Sequence, residues 1–596
     1  MSRTGASALF CTASRSTLRL AAASPDLTLC DPEANAEEII KCIIRSDELD
    51  VSYLALPELC ITGATAGSLL SHDILLNAAS RALQRILKAT QNTSVTTALG
   101  LPYRMNGKVR SCSALICAGR VYAIIPSGTG DAPFGFLPEL DYDPVSKPPL
   151  TPIPRLLLRF GNELFDQAPK AHPGCVILSP GALNATATSF EQLTQSLSSY
   201  SARTGCAIAY ASPNPGESGS FYLFDGVCAV AAHGSILAVS EPFSKDPFVY
   251  ADVNMAELSQ FEPYVSPDEI KGDTYLSCVP EIQKKQCRRI LDLQAAALSR
   301  RLIHMKGKGF VIGVSGGLDS TMALLACAAA ADDMGLKRDA VLGVSMPGFG
   351  TSERTKSNAK RLVEALSCKY MEISVKGACE RHFEDIGHDI KDKSIVFENA
   401  QARERTKILL SLSNKYQLLD VGTGDLSESA LGWTTFCGDH MSQYAINSSL
   451  PKTVIRLVVR EAAERFREAA DILENILDTP VSPELLPPDK GGITQKTEQI
   501  LGYYELHDFF LYQLLANKAG PAEIYRKAKA ALPYDEDEIY RVLGIFLNRF
   551  FSSQFKRNSG TEGPNILLSV SPFAFVMPSD LIGSPWMKEY LSIKNC

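Results

Sequence analysis

Six consecutive residues, Ser315-Gly316-Gly317-Leu318-Asp319-Ser320, follow the apolar run Phe310-Val311-Ile312-Gly313-Val314 and precede a helix-forming stretch over 321–331. A strand that turns through a glycine pair into a helix aims backbone N–H groups and a helix N-terminus at one point. That makes an anion site from main chain. Gly316 and Gly317 let the backbone approach a phosphate with no Cβ in the way. Ser315 and Ser320 add hydroxyl donors, and Asp319 offers oxygens for a Mg²⁺ that bridges phosphate oxygens. The common nucleotide loop ends in Lys-Ser/Thr, and this one does not, so it handles phosphate in another way.

Polar residues recur in apolar settings further along. The segment Phe397-Glu398-Asn399-Ala400-Gln401-Ala402-Arg403-Glu404-Arg405 opens a helix, and Val421-Gly422-Thr423-Gly424-Asp425-Leu426-Ser427-Glu428 follows a strand at 417–421. Gly438-Asp439, Leu450-Pro451-Lys452-Thr453, Glu505-Leu506-His507-Asp508 and Gln554-Phe555-Lys556-Arg557 come later. The hexapeptide is similar to the pyrophosphate loop of enzymes that split ATP between its α and β phosphates. Together with the other segments, and with Asp31-Pro32-Glu33-Ala34-Asn35-Ala36 near the start, it resembles the glutamine-dependent NAD synthetase family over nearly the whole chain. That resemblance implies ATP and Mg²⁺ as cofactors and an AMP-forming ligation. The carboxylate of nicotinic acid adenine dinucleotide attacks the α-phosphorus, and ammonia then displaces AMP. It further implies that Ser315, Gly316, Gly317, Leu318, Asp319, Ser320, Thr423 and Lys452 bind ATP and that Asp319 and Glu428 hold the metal. Asn399, Arg403, Glu428 and Lys556 would meet the acid substrate, while Asp319, Lys452 and Asp439 would serve the reaction itself. Read without the family, Glu428 and Lys452 are ordinary surface charges, and Trp433 is either core or a stacking partner.

The resemblance also implies an N-terminal nitrilase-like amidase that frees ammonia from glutamine with a Glu, a Lys and a Cys. The glutamate is present as Glu58, in Leu56-Pro57-Glu58-Leu59-Cys60-Ile61-Thr62-Gly63. The lysine position, after the strand at 121–126, holds Ser127, and the best register for the cysteine places Gly161 there. Cys60 is two residues from Glu58 and is expected on the same side, which makes it a possible substitute nucleophile; Cys175 reads as a packed core thiol. A lost nucleophile costs on the order of 10⁶ in rate, so the expectation is a retained scaffold with a dead glutaminase site. Near the C-terminus, where the family carries a lysine, two arginines and an aspartate, this chain has Asn565 and the run Ser571-Pro572-Phe573-Ala574-Phe575-Val576-Met577. That change fits either a less charged substrate or a drifted surface loop.

The elements that must position these residues follow from periodicity. At 596 residues the chain is too long for one core. Over 1–255, short strand-like runs (18–23, 53–56, 96–100, 114–116, 156–158, 175–178) alternate with helical stretches at 34–45 and 190–203. The resemblance makes this a nitrilase-like α-β-β-α sandwich. Residues 256–285 read as a linker, 287–303 as a connecting helix, and 301–596 as the synthetase domain. There, strands at 310–314, 340–345 and 370–373 alternate with helices, which predicts an α/β doubly wound parallel sheet. Ligands of such sheets lie beyond the strand C-termini, where 315–320 falls. Residues 460–596 read as mostly helical.

A net charge of −7 argues against a nucleic-acid binder. Apolar runs are too short to span a bilayer. The 16 cysteines are scattered without metal-ligand spacing, as in reduced cytoplasmic proteins. The arginines at 3, 15 and 19 faintly suggest a transit peptide, but 18–23 reads better as a first strand. The partners expected are a small-molecule carboxylate and ammonia or an amine, and the resemblance implies a homo-oligomer. Three readings stand: an NAD synthetase fed with ammonia not made in its own N-terminal domain; a repurposed ligase that joins another acid to another amine; and a non-catalytic regulatory homologue.

Overall fold

Alternation of apolar and small residues builds three sheets, and the helices take whichever sheet face their apolar stripe fits. The computed structural model describes residues 17–105, 107–127, 156–158, 161, 174–261, 274–351, 353–479 and 500–595. It divides into two compact units: Met1–Ser218 with Tyr222–Ile270, and Gly219–Phe221 with Lys271–Cys596.

The first unit holds a six-stranded and a five-stranded sheet. In the larger one, Thr17–Ala23, Tyr53–Ala55 and Thr96–Met105 run parallel, with antiparallel partners outside them. Leu18, Leu20 and Ala22 face Val176, Leu178, Ala207 and Val230 of the second sheet in one buried cluster. The alternate residues Ala21 and Ala23 pack instead with Ile39, Ile43 and Leu83 of the helices Pro32–Glu48 and Asp73–Ala89. The period of two thus sorts one strand into two cores and gives the α-β-β-α layering. Leu193, Leu197 and Tyr200 of the helix Ser189–Thr204 cover the outer face of the second sheet.

The second unit is built on five parallel strands in the order Lys369–Glu372, Val341–Ser345, Phe310–Gly313, Leu419–Gly422, Tyr444–Ala445. The order reverses at Phe310–Gly313, so the loops after it and after Leu419–Gly422 open onto one crevice. The helix behind the glycine loop, Leu318–Asp333, is apolar on nearly all sides and buried from Met322 to Ala331. It starts at Leu318, earlier than the expected 321, because Gly317 serves as its N-cap; Asp319 and Ser320 therefore lie in its first turn.

The expected linker at 256–285 is partly helical. Met255–Gln260 is a short helix, and Pro280 opens the long helix Pro280–Met305, proline being well suited to a first helical position. Residues 262–273 lie outside the described residues. No helix among the described residues is long and apolar enough to cross a membrane.

Candidate active site

The glycine loop closes on itself before it meets anything else. Gly316 has a φ of 85°, the left-handed region that glycine tolerates. Ser315 Oγ accepts from the Gly317 N–H at 3.1 Å and lies 3.2 Å from Ser320 Oγ, which donates to Gly317 O at 3.1 Å. These bonds fix the turn and leave the first helical turn, with Asp319, facing the crevice.

Across the crevice, the strand Leu419–Gly422 leads through Thr423 and Gly424 to Asp425, whose side chain caps the helix Leu426–Leu431 by accepting the Glu428 N–H at 2.7 Å. A third helix, Lys452–Ala462, begins with Lys452, whose side chain is only 3% exposed. Its ammonium lies 2.7 Å from Asp319 Oδ2, 2.9 Å from Asp425 Oδ2 and 3.2 Å from Glu428 Oε1. Burial works against the charged lysine, but the three carboxylates outweigh it and hold the ammonium well above the usual lysine range. Burial also drives Asp425 up.

Oxygens of Asp319, Asp425 and Glu428 lie within 4.8 Å of one another, and Asp319 Oδ1 is buried with no hydrogen-bond partner among the described residues. An all-oxygen donor set with a spare buried oxygen fits a hard divalent cation such as Mg²⁺. The sequence reading named Asp319 and Glu428 and missed Asp425. Its signal was present, since an Asp directly before an apolar helix start is an N-cap.

Asn447 also went unread. Its Nδ2 donates to Asp319 O and to Thr423 O, both at 3.0 Å, and its Oδ1 accepts from Gln294 Nε2 at 3.0 Å. It ties the two loops of the switch point together through their main chains. Nothing in local periodicity marks such a residue.

The other predicted residues gather around a neighbouring cavity lined by Gly422, Gly424, Thr434, Asp439, His440 and Lys556. Asp439 Oδ1 accepts the Thr435 N–H at 2.6 Å, and Thr435 Oγ1 donates to Asn399 Oδ1 at 2.9 Å. Arg403 is exposed and donates through Nε to Phe436 O at 3.3 Å. Lys556 donates to the carbonyls of Gly432 (2.7 Å) and Thr434 (2.6 Å). Trp433 lies under the Arg549 guanidinium, 4.8 Å away. The predicted set therefore falls into two adjoining groups, the carboxylate–lysine cluster and this cavity.

In the first unit Glu58 lies in the turn after Tyr53–Ala55, and its N–H donates to Gly181 O at 3.0 Å. Cys60 does not lie in the extended strand on which that expectation rested. Leu59 adopts a φ of 53°, so 58–60 is a turn rather than a strand, and Cys60 is buried in the core with its thiol aimed at Gly100 O. Burial pushes that thiol up to about 12, far from a usable nucleophile. Cys175 is a core residue, as expected. Ser127 donates its N–H to Ser111 O at 2.9 Å. Gly161 packs on Tyr210: a Cβ there would come within 2.9 Å of the ring's Cε2 and 3.0 Å of Gly181 Cα. Its neighbours at 159–160 and 162–173 lie outside the described residues.

Residues 291–559 match the NAD synthase family model. A glutamine-dependent NAD(+) synthetase of Mycobacterium leprae is 29% identical, with 96% of this chain and 97% of that protein covered. The protein of the same name from Aquifex aeolicus is 26% identical, over 92% of this chain and 96% of its own. Among solved structures, a glutamine-dependent NAD(+) synthetase from Cytophaga hutchinsonii superposes with a TM-score of 0.74 at 18% identity, over 97% of this chain and all of that one. With an NAD synthase model matched on the ATP-loop half and relatives matched from end to end, the chain is similar to the glutamine-dependent NAD synthetases over nearly its whole length.

Proposed function

We propose that this ATP-dependent ligase of the NAD synthetase type adenylates the carboxylate of nicotinic acid adenine dinucleotide and amidates it with ammonia that its own N-terminal unit does not make. The juxtaposition of the 315–320 loop with Asp319, Asp425, Glu428 and Lys452 carries the reading. The chemical difficulty is that an anion must approach a polyanion, so the site must supply positive charge where pyrophosphate departs. The N-terminus of the helix that starts at Leu318 and the Lys452 ammonium beside Asp319 can supply it. Asp319, Asp425 and Glu428 would hold Mg²⁺, which when bound neutralises phosphate charge. Asp439, Asn399, Arg403 and Lys556 line or flank the adjoining cavity, where the acid substrate would lie.

Three positions in the first unit support this reading of the nitrogen source. Gly161 has no nucleophile, Ser127 has no cation, and Cys60 is sealed in the core. None of these three positions gives Glu58 a thiol to activate. A second reading, a different acid or amine, has one observation in its favour. Phe573 and Val576 are 59% and 89% exposed in the segment where the family resemblance expects charges.

Pyrophosphate release measured with nicotinic acid adenine dinucleotide and ammonium, with glutamine in its place, and with a panel of other acids and amines separates the readings. Turnover with ammonium but not glutamine is expected. Comparable turnover with glutamine overturns the nitrogen assignment, and release only with another acid favours the second reading.

A further inference from the structure

The helix Tyr504–Leu515 carries no residue of the carboxylate cluster, yet it meets Lys452 at both ends of the lysine. Tyr504 and Asp508 are four residues apart, so they share one face of that helix. Tyr504 is buried, and its ring centroid lies 5.1 Å from Lys452 Nζ. Asp508 is buried behind the lysine's main chain. Its Oδ1 accepts from Ser427 Oγ at 2.5 Å, and its Oδ2 accepts from the Thr453 N–H at 3.0 Å and Thr453 Oγ1 at 2.7 Å. Ser427 Oγ in turn accepts the Lys452 N–H at 2.9 Å.

One carboxylate thus ties together the first turns of two helices, Leu426–Leu431 and Lys452–Ala462, which carry Glu428 and Lys452. Orphan N–H groups at both helix starts are satisfied through it, directly or through one hydroxyl. A buried carboxylate without partners is expensive, and this one has three hydrogen bonds. The opposite end of the lysine rests against the Tyr504 π-face, where an ammonium is favoured. The hydrogen bonds fix where the lysine starts, and the ring limits where its tip can go. Neither group touches the crevice oxygens that would meet ATP.

We propose that Tyr504 and Asp508 are positioning residues for the ligase reaction, gripping Lys452 at its tip through the ring and at its backbone through Ser427 and Thr453. The proposal concerns the adenylation site common to both acid substrates considered above, so it stands whichever amine is used.

The test uses Tyr504→Leu and Ser427→Ala in the full chain; Ser427→Ala removes the partner of Asp508 Oδ1 and leaves both Thr453 bonds to Oδ2 in place. Tyr504→Phe, which retains the ring, serves as the conservative control. Expected results are a roughly tenfold fall in kcat for pyrophosphate release in both variants, with the KM for the acid substrate within twofold of the parent. Mn²⁺ affinity, read by electron paramagnetic resonance without nucleotide, should shift in both variants because the lysine shares the metal's carboxylates. Tyr504→Phe should recover most of the kcat lost in Tyr504→Leu. Thermal unfolding checks that each variant is folded. If either fails to fold, the other, with Thr453→Val, carries the test. A proportional rise in KM for every substrate with kcat unchanged would mean general loosening and overturn the proposal. So would parent-like kcat and Mn²⁺ affinity in both variants. Absence of pyrophosphate release in the parent protein would instead count against the function proposed above, and Mn²⁺ affinity would still report on the grip.

Discussion

The ring of Tyr210 packs on two glycines, Gly161 and Gly181, and the hydroxyl would lie 2.5 Å from a Cβ at Gly181. Tyr210 is fully buried, so it has nowhere to swing. Any side chain at Gly161 must push it, and tightly packed interiors resist such pushing by about 1–3 kcal/mol. On the function proposed above, a cysteine restored at Gly161 would meet a steric obstacle there. Replacing both degenerate positions, as Ser127→Lys with Gly161→Cys, should leave glutamine-dependent amidation at background while ammonia-dependent amidation stays at the parent rate. Iodoacetamide should label the G161C thiol slowly in that protein and faster once Tyr210→Ala makes room. Glutamine-dependent turnover equal to the ammonia rate in the double variant would refute the packing argument. The family resemblance pointed to Ser127 and Gly161 at the lysine and cysteine positions, because a motif shows its gaps. It did not expose Tyr210, which reaches Gly161 only when the strand Ala207–Ala211 folds beside Val176–Pro180.

Elements carry the second kind of information. The strands and helices of the synthetase unit were legible because parallel strands are short apolar runs and their helices have a period near 3.6. The helix start at Leu318 and the helical parts of 256–285 were less so, since a glycine cap and an initial proline read locally as breaks. Three helix N-termini converge at the crevice, at Leu318, Leu426 and Lys452. That convergence is a product of sheet order, so Asp425, Asn447 and Asp508 could be read as caps or core polars but not as neighbours.

The short helix Leu426–Leu431 is the most sensitive of these elements at its C-terminal end. Gly432 ends it with a φ of 58°, and an added Cβ would fall on Ser553. The Gly432 carbonyl also accepts from Lys556 at 2.7 Å. Gly432→Ala combines left-handed strain with that clash, so a loss of at least about 1 kcal/mol is expected. The effect on function should be a raised KM for the acid substrate with a smaller change in kcat, because Lys556 borders the cavity rather than the carboxylate cluster. Steady-state kinetics with thermal unfolding reads both; unchanged stability and KM would remove Gly432 from this role.

At the scale of the molecule, two buried groups of the second unit set opposing pH dependences. His507 is buried, and its pKa is pushed down to about 4, burial first, while its Nε2 bonds Leu501 O. The unfolded imidazole takes a proton below about 6.5, and the folded one resists until about 4. Stability contributed by His507 is therefore present above 6.5 and lost as pH falls towards 4, about 3 kcal/mol in all. Asp420, on the central strand Leu419–Gly422, is buried without a hydrogen-bond partner for either oxygen among the described residues, and burial pushes it up to about 7. Its folded state keeps a proton that the unfolded state releases near 3.8. Stability from Asp420 is therefore present below 3.8 and lost as pH rises towards 7, about 4 kcal/mol by the same linkage. Between pH 4 and 6.5 the contributions of these two groups nearly cancel each other. Asp420→Asn removes one side of the balance. Its gain over the parent in thermal midpoint should be small at pH 5 and clearly larger at pH 7.5. His507→Gln should behave oppositely, losing least at pH 5 and most at pH 7.5. Calorimetric scans of both variants at the two pH values decide it, and a pH-independent offset in either would show that the group titrates alike folded and unfolded.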